Sequence, residues 1–556
     1  MTSNLDKSAL NDSAARAAYY RQQGWWPGRK LVERYSDIVE KSPNADALID
    51  DRGRHFTHSQ LWQAASAMAE RFRARGILPG DVVVIILPNW AEWHIAHLAI
   101  RQLEAIPANI PIRTDAPMLA HAIDLVSARC LVGTDDFGSK PMGDVLTAVA
   151  DSCNHKIDIL LIGDDASESW SSNGKLQADF QADSQVDTQA DTQAEDPNLD
   201  HLMFTSSTTG MPKAVMHSSD SLASFNITIA ERFDLHSGTP IFMASPLGHS
   251  VGTIHGSLLA LFLGAPLVLQ QHWNPDQALQ MIERHGCDFT AAATPFLKDL
   301  LDAKSIGSTP KLASMRSFLC GGAQVPPALL RQAIQEFPNT FVTVLWGMTE
   351  GGVTTCVPGS CEMDKRLETA GRPTSGLEMK VVDGAGASQP AMVEGELMVR
   401  GPNMFYGYFG QDDLNRELIG TDGYFISGDR AVIDEEGYLR ITGRSKDLII
   451  RGGVNISPVP IEDAIAAHPG ISSVAVVGLP DPRLGERICA VIGGAKQSLN
   501  LEELIGFAAE HGLTKHFWPE ALYHIDEMPM TPAGKIRKND VRTWLAQHLE
   551  AEAKAS

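Results

Sequence analysis

Residues 204–217 read FTSSTTGMPKAVMH and combine hydroxyl side chains, a glycine turn and one lysine. Hydroxyls and free backbone N–H groups around a glycine form a concave anion site, to which Lys213 adds a positive charge. The stretch lacks the G-x-x-x-x-G-K-[ST] spacing of a Walker loop. Because it follows the strand-like run HLMF, we predict a phosphate-binding loop at a sheet edge. Taken alone, a hydroxyl-rich surface turn is the alternative.

A second stretch, WGMTEGG at 346–352, follows the apolar run FVTVL and is therefore placed at the end of a predicted strand. Trp346 offers a flat aromatic face for a base. Thr349 offers a hydroxyl for phosphate, and Glu350 offers the hard oxygen ligand that Mg²⁺ prefers. The ordinary alternative for the tryptophan is a core position.

Three further motifs supply the remaining polar groups of a nucleotide site. SGD puts the carboxylate of Asp429 in a predicted turn, where it can accept hydrogen bonds from both ribose hydroxyls. GRSKD supplies the cation of Arg444, and PMTPAGKIRK places Lys535 in a predicted exposed glycine loop. Singly, Asp429 could be a turn cap and Lys535 a solvated lysine. The five motifs together, in this order, predict one site for a magnesium–nucleotide complex.

The elements that must position these motifs alternate between helix and strand patterns. Residues 58–76 have helical spacing and end at a glycine, and 91–105 are helical again. Between them, DVVVIILP (81–88) is a continuous apolar run typical of a strand buried on both faces. The alternation continues through CLVGTDD, IDILLIGDD and HLMFTSS, and it predicts an α/β fold with largely parallel sheets.

The last third of the chain has a different pattern. Short strands and turns after residue 390 predict a small β-rich subdomain, and the chain beyond RSKDLIIRGG is typical of a compact α+β unit. Because 556 residues exceed what one hydrophobic core supports, we expect a large N-terminal domain over 1–445 and a small C-terminal domain over 446–556. The acidic tetrapeptide repeat at 177–196 is interpreted as a solvated surface insertion, with a functional lid as the alternative.

The motifs and their order resemble those of the acyl-adenylate-forming (AMP-binding) superfamily, which includes acyl- and aryl-CoA synthetases, standalone adenylation enzymes and luciferases. The resemblance covers roughly residues 30 to 540. It implies a ligase that uses ATP and Mg²⁺ to join a carboxylic acid to coenzyme A through an acyl-AMP. It also implies that the C-terminal domain is mobile, with its hinge at Lys446.

The resemblance implies roles for individual residues. The β- and γ-phosphates of ATP would be held by Thr205, Ser206, Ser207, Thr208, Thr209, Gly210 and Lys213. The adenine would be lined by Gly321, Gly322 and Ala323 and would stack on Trp346, where tyrosine is more common. Thr349 would contact the α-phosphate, Glu350 would hold Mg²⁺, Asp429 and Arg444 would bind ribose, and Lys535 would be the catalytic lysine. SGD here replaces the commoner TGD.

Two half-reactions follow from the resemblance. First, the carboxylate of the acid attacks the α-phosphate of ATP and pyrophosphate leaves, so positioning and neutralisation of charge by Lys535 and Mg²⁺ are the main tasks. Then the small domain turns about Lys446 and presents RGGVNISP, where Gly452 and Gly453 leave room for the pantetheine of CoA. An ordinary tight turn is the alternative for this glycine pair.

The segment MASPLGHSVGTIHG (243–256) matches the family's acyl-pocket motif and places His249 at the carboxylate gate. Dihydroxybenzoate-activating relatives carry asparagine directly after this histidine, whereas this chain has Ser250. The PLGH…G pattern, with YYRQQGWWPGRKL at 19–31, is more similar to cyclohexanecarboxylate-type and medium-chain acyl-CoA ligases. The sequence therefore favours a medium-chain or cyclic acid.

Three other functions stay open. A standalone adenylation enzyme would load an aryl or other acyl group onto a carrier-protein phosphopantetheine, although no carrier signature is seen. A luciferase-like enzyme would oxidise the adenylate. A non-catalytic nucleotide-binding regulator is disfavoured, because Lys213, Glu350, Asp429, Arg444 and Lys535 are all retained.

The overall composition limits the classes of molecule that the protein is expected to bind. The net charge of −22 disfavours nonspecific binding to nucleic acid or to an anionic membrane, since both need a cationic surface. The start of the chain lacks the apolar core of a secretory signal, and the longest apolar stretch, 257–269, is too short to span a bilayer. The scattered cysteines predict neither a disulfide framework nor structural metal. We expect a cytoplasmic enzyme acting on small molecules, with its oligomeric state open.

Overall fold

The computed structural model describes residues 12–137, 140–163, 199–205, 211–303, 311–322, 325–359, 361–494, 499–531 and 535–555. Several residues with predicted roles lie outside the described residues: Ser206, Ser207, Thr208, Thr209 and Gly210 of the phosphate loop, Ala323 of the adenine wall, and the acidic repeat at 177–196. The roles given to them stay predictions.

The strands of the described residues are numbered in chain order. They are β1 (Asp46–Asp50), β2 (His55–Thr57), β3 (Val82–Ile85), β4 (Ile106–Asn109), β5 (Cys130–Thr134), β6 (Asp136–Phe137), β7 (Lys140–Pro141), β8 (Asp158–Ile162), β9 (Leu199–Thr205), β10 (Lys213–Ser218), β11 (Ile241–Met243), β12 (Leu267–Leu269), β13 (Phe289–Ala293), β14 (Ser317–Gly321), β15 (Phe341–Met348), β16 (Gly352–Cys356), β17 (Arg372–Pro373), β18 (Glu378–Val382), β19 (Gly395–Arg400), β20 (Phe425–Ile433), β21 (Leu439–Arg444), β22 (Ile449–Arg451), β23 (Val454–Ile456), β24 (Ser473–Asp481), β25 (Gly485–Gly493) and β26 (Ala521–Ile525).

The α-helices are numbered in the same way. They are α1 (Ser13–Gln22), α2 (Leu31–Lys41), α3 (His58–Ala74), α4 (Ala91–Gln102), α5 (Ala116–Leu125), α6 (Gly143–Ser152), α7 (Ser219–Phe233), α8 (Ser250–Gly252), α9 (Leu259–Leu263), α10 (Pro275–Arg284), α11 (Thr294–Asp302), α12 (Pro327–Glu336), α13 (Met363–Glu368), α14 (Asp412–Leu418), α15 (Val459–Ala466), α16 (Leu501–Glu510) and α17 (Lys538–Ala555). A π-helical segment, Thr253–Leu258, joins α8 to α9, and short 3₁₀ turns lie at Ser445–Asp447 and Lys515–Phe517.

Two large sheets form the first part of the chain. Among the described residues, one has the order β17-β16-β15-β14-β13-β11-β12-β1-β2 and the other the order β10-β9-β4-β3-β5-β8. Their inner strands pair in parallel, and antiparallel pairs occur at the edges, as between β9 and β10. Buried side chains of α3, α4, α7 and α9 share one hydrophobic core with strands of both sheets, so these helices lie between the sheets. The predicted α/β fold class is confirmed.

The strand predicted at 81–88 is β3, and its side chains show why this run is apolar throughout. Val83 and Ile85 pack in the core between the two sheets, whereas Val82 and Val84 pack in a second core on the opposite face. A strand covered on both faces has no polar side, so apolar and polar residues do not alternate along its sequence. Helix α4 is buried along its length in the same way.

Two smaller sheets follow. Among the described residues, the order β18-β19-β20-β21 forms a four-stranded sheet, and β23-β22-β25-β24 with β26 forms a sheet whose strands all follow residue 445. This arrangement agrees with the predicted β-rich subdomain and small α+β unit, while the boundary at 445/446 stays a prediction. Asp429 lies within the long strand β20 rather than in the predicted turn, and it pairs with Arg444 of β21.

Two further features of the described residues are the character of the helices and the state of the cysteines. Within the described part of the chain, no helix combines the length and the apolar character that crossing a bilayer requires. All seven cysteines are free thiols, and five of them are buried. Burial raises the pKa of thiols such as Cys130 and Cys489, which keeps them protonated and unreactive.

Candidate active site

The described residues of the five motifs converge on one region. Thr205 and Lys213 are cross-strand partners at the two ends of the phosphate loop, so the strand register alone brings its entry and exit together. Lys213 begins β10, and its ammonium nitrogen lies 4.6 Å from the ring centre of Tyr408. A cation over an aromatic face is attracted to the ring, and this contact positions its side chain.

Trp346, Asp429 and Arg444 form a connected group. Trp346 is 8% exposed, and its Nε1 donates a hydrogen bond to Asp429 Oδ2 at 2.9 Å. Arg444 Nε lies 2.8 Å from the other oxygen, Asp429 Oδ1. The Asp429 carboxylate raises the pKa of Arg444, so the guanidinium stays charged. The indole is thus part of a hydrophobic core and also a polar partner of the carboxylate.

Glu350 is held by a residue that the sequence motifs did not reveal. The hydroxyl of Tyr408 donates to Glu350 Oε1 at 2.7 Å, and the backbone N–H of Phe405 donates to the Glu350 carbonyl at 2.7 Å. Burial, and then the charge of Glu350, raises the pKa of Tyr408, so the phenol stays a donor. Tyr408 therefore lies between the carboxylate and the ammonium of Lys213.

Glu350 suits a metal that is shared with a substrate. Among the described residues, no group of three His, Cys, Asp or Glu side chains could hold a metal on its own. Mg²⁺ is commonly bound by one or two carboxylates together with substrate phosphates, and it keeps several waters. Because Tyr408 contacts only Oε1, the remaining acceptor capacity of Glu350 fits this kind of magnesium site.

Lys535 reaches the same region although it lies far along the chain. A Cβ placed on Gly322 would lie 3.7 Å from Lys535 Cε, so the lysine stem runs beside the turn after β14. Burial and then Arg444 lower the pKa of Lys535, whereas Asp429 and Glu350 act in the opposite direction. The sequence placed this lysine in an exposed loop, but the residue is half-buried, and the charges of Asp429 and Glu350 act on the pKa of its ammonium.

His249 caps the helical segment that begins at Ser250, and its Nδ1 accepts from the N–H of Val251 at 3.4 Å. Burial, with a smaller effect of Lys535, lowers the pKa of His249 to about 4, so the imidazole is neutral at pH 7. The hydroxyl of Thr349 donates to Ser250 Oγ at 3.3 Å. The predicted acid gate and the predicted phosphate contact are therefore neighbours.

The predicted adenine wall and CoA hairpin contain glycines for different structural reasons. A Cβ on Gly321 would lie 2.4 Å from Leu345 Cγ, so packing alone requires glycine there. Gly452 and Gly453 form the two-residue loop between β22 and β23, with φ of +58° and +81°. Positive φ at both positions is typical of a type I′ hairpin turn, so the tight-turn alternative describes the observed geometry.

Lys446, the predicted hinge residue, lies in the 3₁₀ turn that follows β21. Burial of its charge, and then Arg444, lower the pKa of Lys446 to about 8, with Lys213 contributing in the same direction. The residue is thus close to the cations of the site. Its role in a hinge stays a prediction.

Two residues in the site were missed by sequence reasoning. Tyr408 occurs in FYGYFG, an aromatic run between glycines, and only strand pairing with β10 reveals its position. His217 donates from Nε2 to the carbonyl oxygen of Thr349 at 2.8 Å and is fully buried. Both contacts join residues that are distant along the chain, so no local spacing signals them.

Comparisons with known proteins agree with this geometry. Residues 36–409 match the family model of the AMP-binding enzymes, and residues 460–535 match the model of their C-terminal domain. A medium-chain fatty-acid–CoA ligase of Escherichia coli (strain K12) is 32% identical over 98% of this chain and 95% of that protein. A salicyl-AMP ligase/salicyl-S-ArCP synthetase of Mycobacterium tuberculosis is also 32% identical, over 95% of this chain and 93% of its own.

A solved structure supports the same assignment. ATP-bound MatB from Rhodopseudomonas palustris superposes with a TM-score of 0.78 at 25% identity, over 92% of this chain and 98% of that chain. The layered fold and the gathered polar residues define an adenylate-forming ligase. The chain belongs to the AMP-binding enzyme family, and it is an AMP-forming acyl-CoA synthetase. Enzymes of this family use ATP and CoA as substrates.

Proposed function

We propose that this protein is an ATP-dependent acid–CoA ligase that activates a medium-chain or cyclic carboxylic acid. The observation that carries the proposal is the convergence of Lys213, Trp346, Glu350, Asp429 and Lys535 on one site from distant parts of the chain. Carboxylates and cations that face each other in this way suit a nucleotide with its metal.

In the first step, a carboxylate oxygen of the acid attacks the α-phosphorus of ATP, the α–β phosphoanhydride bond breaks, and pyrophosphate leaves. Lys213 would hold the β- and γ-phosphates with Thr205, and Lys535 would neutralise charge that develops at the α-phosphate. Thr349 would contact the α-phosphate as well. Mg²⁺ bound by Glu350 would supply Lewis-acid neutralisation of the phosphates.

The nucleoside would be held by the remaining residues. Trp346 and the wall of Gly321 and Gly322 would contact adenine, and Asp429 with Arg444 would bind ribose. Each carboxylate oxygen has two acceptor positions. Asp429 can therefore accept ribose hydroxyls while it keeps the bonds from Trp346 and Arg444.

In the second step, the thiol of CoA loses its proton, its sulfur attacks the acyl carbonyl, and AMP leaves. The catalytic Lys535 would be withdrawn when residues 446–556 turn about Lys446. The hairpin at Gly452 and Gly453 would then line the pantetheine path. Its exposed position in the present arrangement is compatible with such a movement.

The preference for an apolar acid is supported by apolar residues around the segment that follows His249. This π-helical segment packs on β13. Its residues Ile254 and Leu258 share a hydrophobic core with Ala291 of β13. These apolar surroundings and the similarity to a medium-chain fatty-acid–CoA ligase support an apolar acid.

A second candidate is transfer of the acyl group to a carrier protein, which the similarity to a salicyl-S-ArCP synthetase favours. The two are separated by one screen of pyrophosphate release over aliphatic, alicyclic and aromatic acids, followed by thioester formation with CoA or with a purified phosphopantetheinylated carrier. We expect acid-dependent pyrophosphate release and thioester formation with CoA. Release without transfer to CoA, but with transfer to the carrier, would favour the second candidate.

A further inference from the structure

Two buried histidines lie side by side on the hairpin that carries the phosphate loop. His201 of β9 and His217 of β10 are directly opposite each other across the antiparallel pair. Both have a relative exposure of 0%. Opposite residues of antiparallel strands present their side chains on the same face. The proposed chemistry gives neither histidine a role.

A first set of hydrogen bonds, here called the metal-side arm, connects the pair to the turn that contains Glu350. His217 Nε2 lies 2.8 Å from the carbonyl oxygen of Thr349, and Ser221 Oγ lies 3.3 Å from His217 Nδ1. Because a carbonyl oxygen only accepts, the ring proton is on Nε2 and donates to it. The hairpin thus holds the main chain of this turn directly, next to the carboxylate proposed to bind the metal.

A second set of contacts, here called the acid-side arm, connects the pair to the turn before His249. Arg101 donates to His201 Nδ1 at 2.8 Å, so the ring proton is on Nε2, which lies 2.8 Å from the side-chain amide of Asn109. The same amide lies 3.2 Å from Thr253 Oγ1. The hydroxyl of Thr253 donates to the Leu247 carbonyl at 2.6 Å. Arg101, Asn109 and Thr253 are buried, so water does not compete for these bonds.

We propose that the pair of His201 and His217 couples strands β9 and β10, which flank the phosphate loop, to the two turns proposed to receive the metal and the acid. The inference rests on the proposed function. Adenylation requires the acid carboxylate and the α-phosphate to approach in line at about 3–3.5 Å, and a displacement of about 1 Å costs on the order of 100-fold in rate. Both histidines are positioning residues, because they act through Thr349 and Thr253 rather than on a substrate.

The first test concerns the metal-side arm. His217→Leu removes the donor to Thr349, whereas His217→Gln keeps a side-chain N–H at a similar reach. We expect His217→Leu to lower kcat for pyrophosphate release by roughly 10-fold or more, with the KM for the acid nearly unchanged. His217→Gln should restore a large part of kcat. Equal losses in both variants would overturn the role of the donor.

The second test concerns the acid-side arm. Thr253→Val removes the hydroxyl but keeps the shape of the side chain, and Thr253→Ser keeps the hydroxyl. We expect Thr253→Val to raise the KM for the acid about 3–10-fold while the KM for ATP stays constant, because one buried hydrogen bond to the acid-side turn is lost. Thr253→Ser should remain close to the wild type.

The double variant His217→Leu/Thr253→Val tests the coupling itself. If the histidine pair connects the arms, the loss in kcat/KM differs from the product of the two single losses by about threefold or more. A product within error, or losses that only follow lowered melting temperatures without a kcat–KM split, would overturn the inference alone. A wild type that releases no pyrophosphate with any acid would instead refute the proposed function, and the inference with it.

Discussion

The indole N–H of Trp346 donates to the carboxylate of Asp429 at 2.9 Å, although 83 residues separate them along the chain. The bond joins the end of β15 in a large sheet to β20 of the four-stranded sheet. Tyrosine is more common at the first position in the proteins that this chain resembles. Here one side chain can present its face to a base and fix the carboxylate proposed to bind ribose.

Substitution of Trp346 separates these two contributions. Trp346→Phe keeps an aromatic face but removes the donor to Asp429, so we expect the KM for ATP to rise about fivefold, as for one net hydrogen bond of about 1 kcal/mol. Trp346→Leu also removes the aromatic face and should raise the KM for ATP further. Steady-state pyrophosphate release against ATP concentration measures both. Identical values for Phe and Leu would show that stacking does not contribute.

The hydroxyl of Tyr408 allows a direct test of the proposed magnesium site. Tyr408→Phe removes the bond to Glu350 but keeps the ring beneath Lys213. A hydrogen bond to a charged group is worth about 1.5–3 kcal/mol, so the Mg²⁺ concentration for half-maximal activity should rise by roughly 10-fold to 100-fold. The KM for ATP at saturating Mg²⁺ should change little.

Tyr408→Leu is the matched variant, because it also removes the ring that contacts Lys213. We expect it to raise the KM for ATP in addition to the Mg²⁺ requirement. Binding of Mn²⁺ in the presence of ATP, followed by its paramagnetic resonance signal, provides a readout independent of turnover. Unchanged metal affinity in Tyr408→Phe would show that this tyrosine does not orient Glu350.

The α/β fold and the buried strand at 81–88 could be predicted from local sequence pattern, whereas a common site for the motifs was expected from their resemblance to a known family. The sequence did not predict that Asp429 lies in a strand or that Lys535 is half-buried. Tyr408 and His217 were missed for a related reason. Their partners depend on strand register and on the packing of distant turns, which residue spacing does not encode.

Lys535 is expected to act in only one half-reaction. Lys535→Ala should lower acid-dependent pyrophosphate release by about 100-fold to 1,000-fold, which is the usual cost of removing a group that stabilises transition-state charge. Thioester formation from supplied acyl-AMP and CoA should stay largely intact, because the lysine is proposed to leave the site for that step. The two half-reactions are measured separately, by pyrophosphate release and by thioester formation.

Arg537→Ala is the control for this prediction. Arg537 lies two residues from Lys535 in the sequence, is substantially exposed, and pairs on the surface with Asp540 at 2.9 Å. A surface pair contributes little, so this variant should retain both activities. Similar losses of both half-reactions in Lys535→Ala would contradict the proposal that residues 446–556 move between two arrangements.

Buried neutral histidines make the protein sensitive to acid. Burial lowers the pKa of His94 to about 3 and those of His217 and His255 to about 4, from an ordinary value of 6.5. Between pH 6.5 and about 4, the unfolded chain therefore binds more protons than the folded chain. Stability must fall as the pH falls through this window.

We expect acid unfolding, followed by circular dichroism, with a midpoint between pH 4 and 6.5. Each of these histidines costs on the order of 3 kcal/mol by pH 4, and typical domain stabilities are only about 5–15 kcal/mol. His255→Met, which removes one buried titrating group, should move the midpoint to lower pH. His516→Gln, at an exposed position, should leave it unchanged. A midpoint below pH 4, or equal shifts in both variants, would contradict this account, because proton uptake by the buried imidazoles would then not drive unfolding.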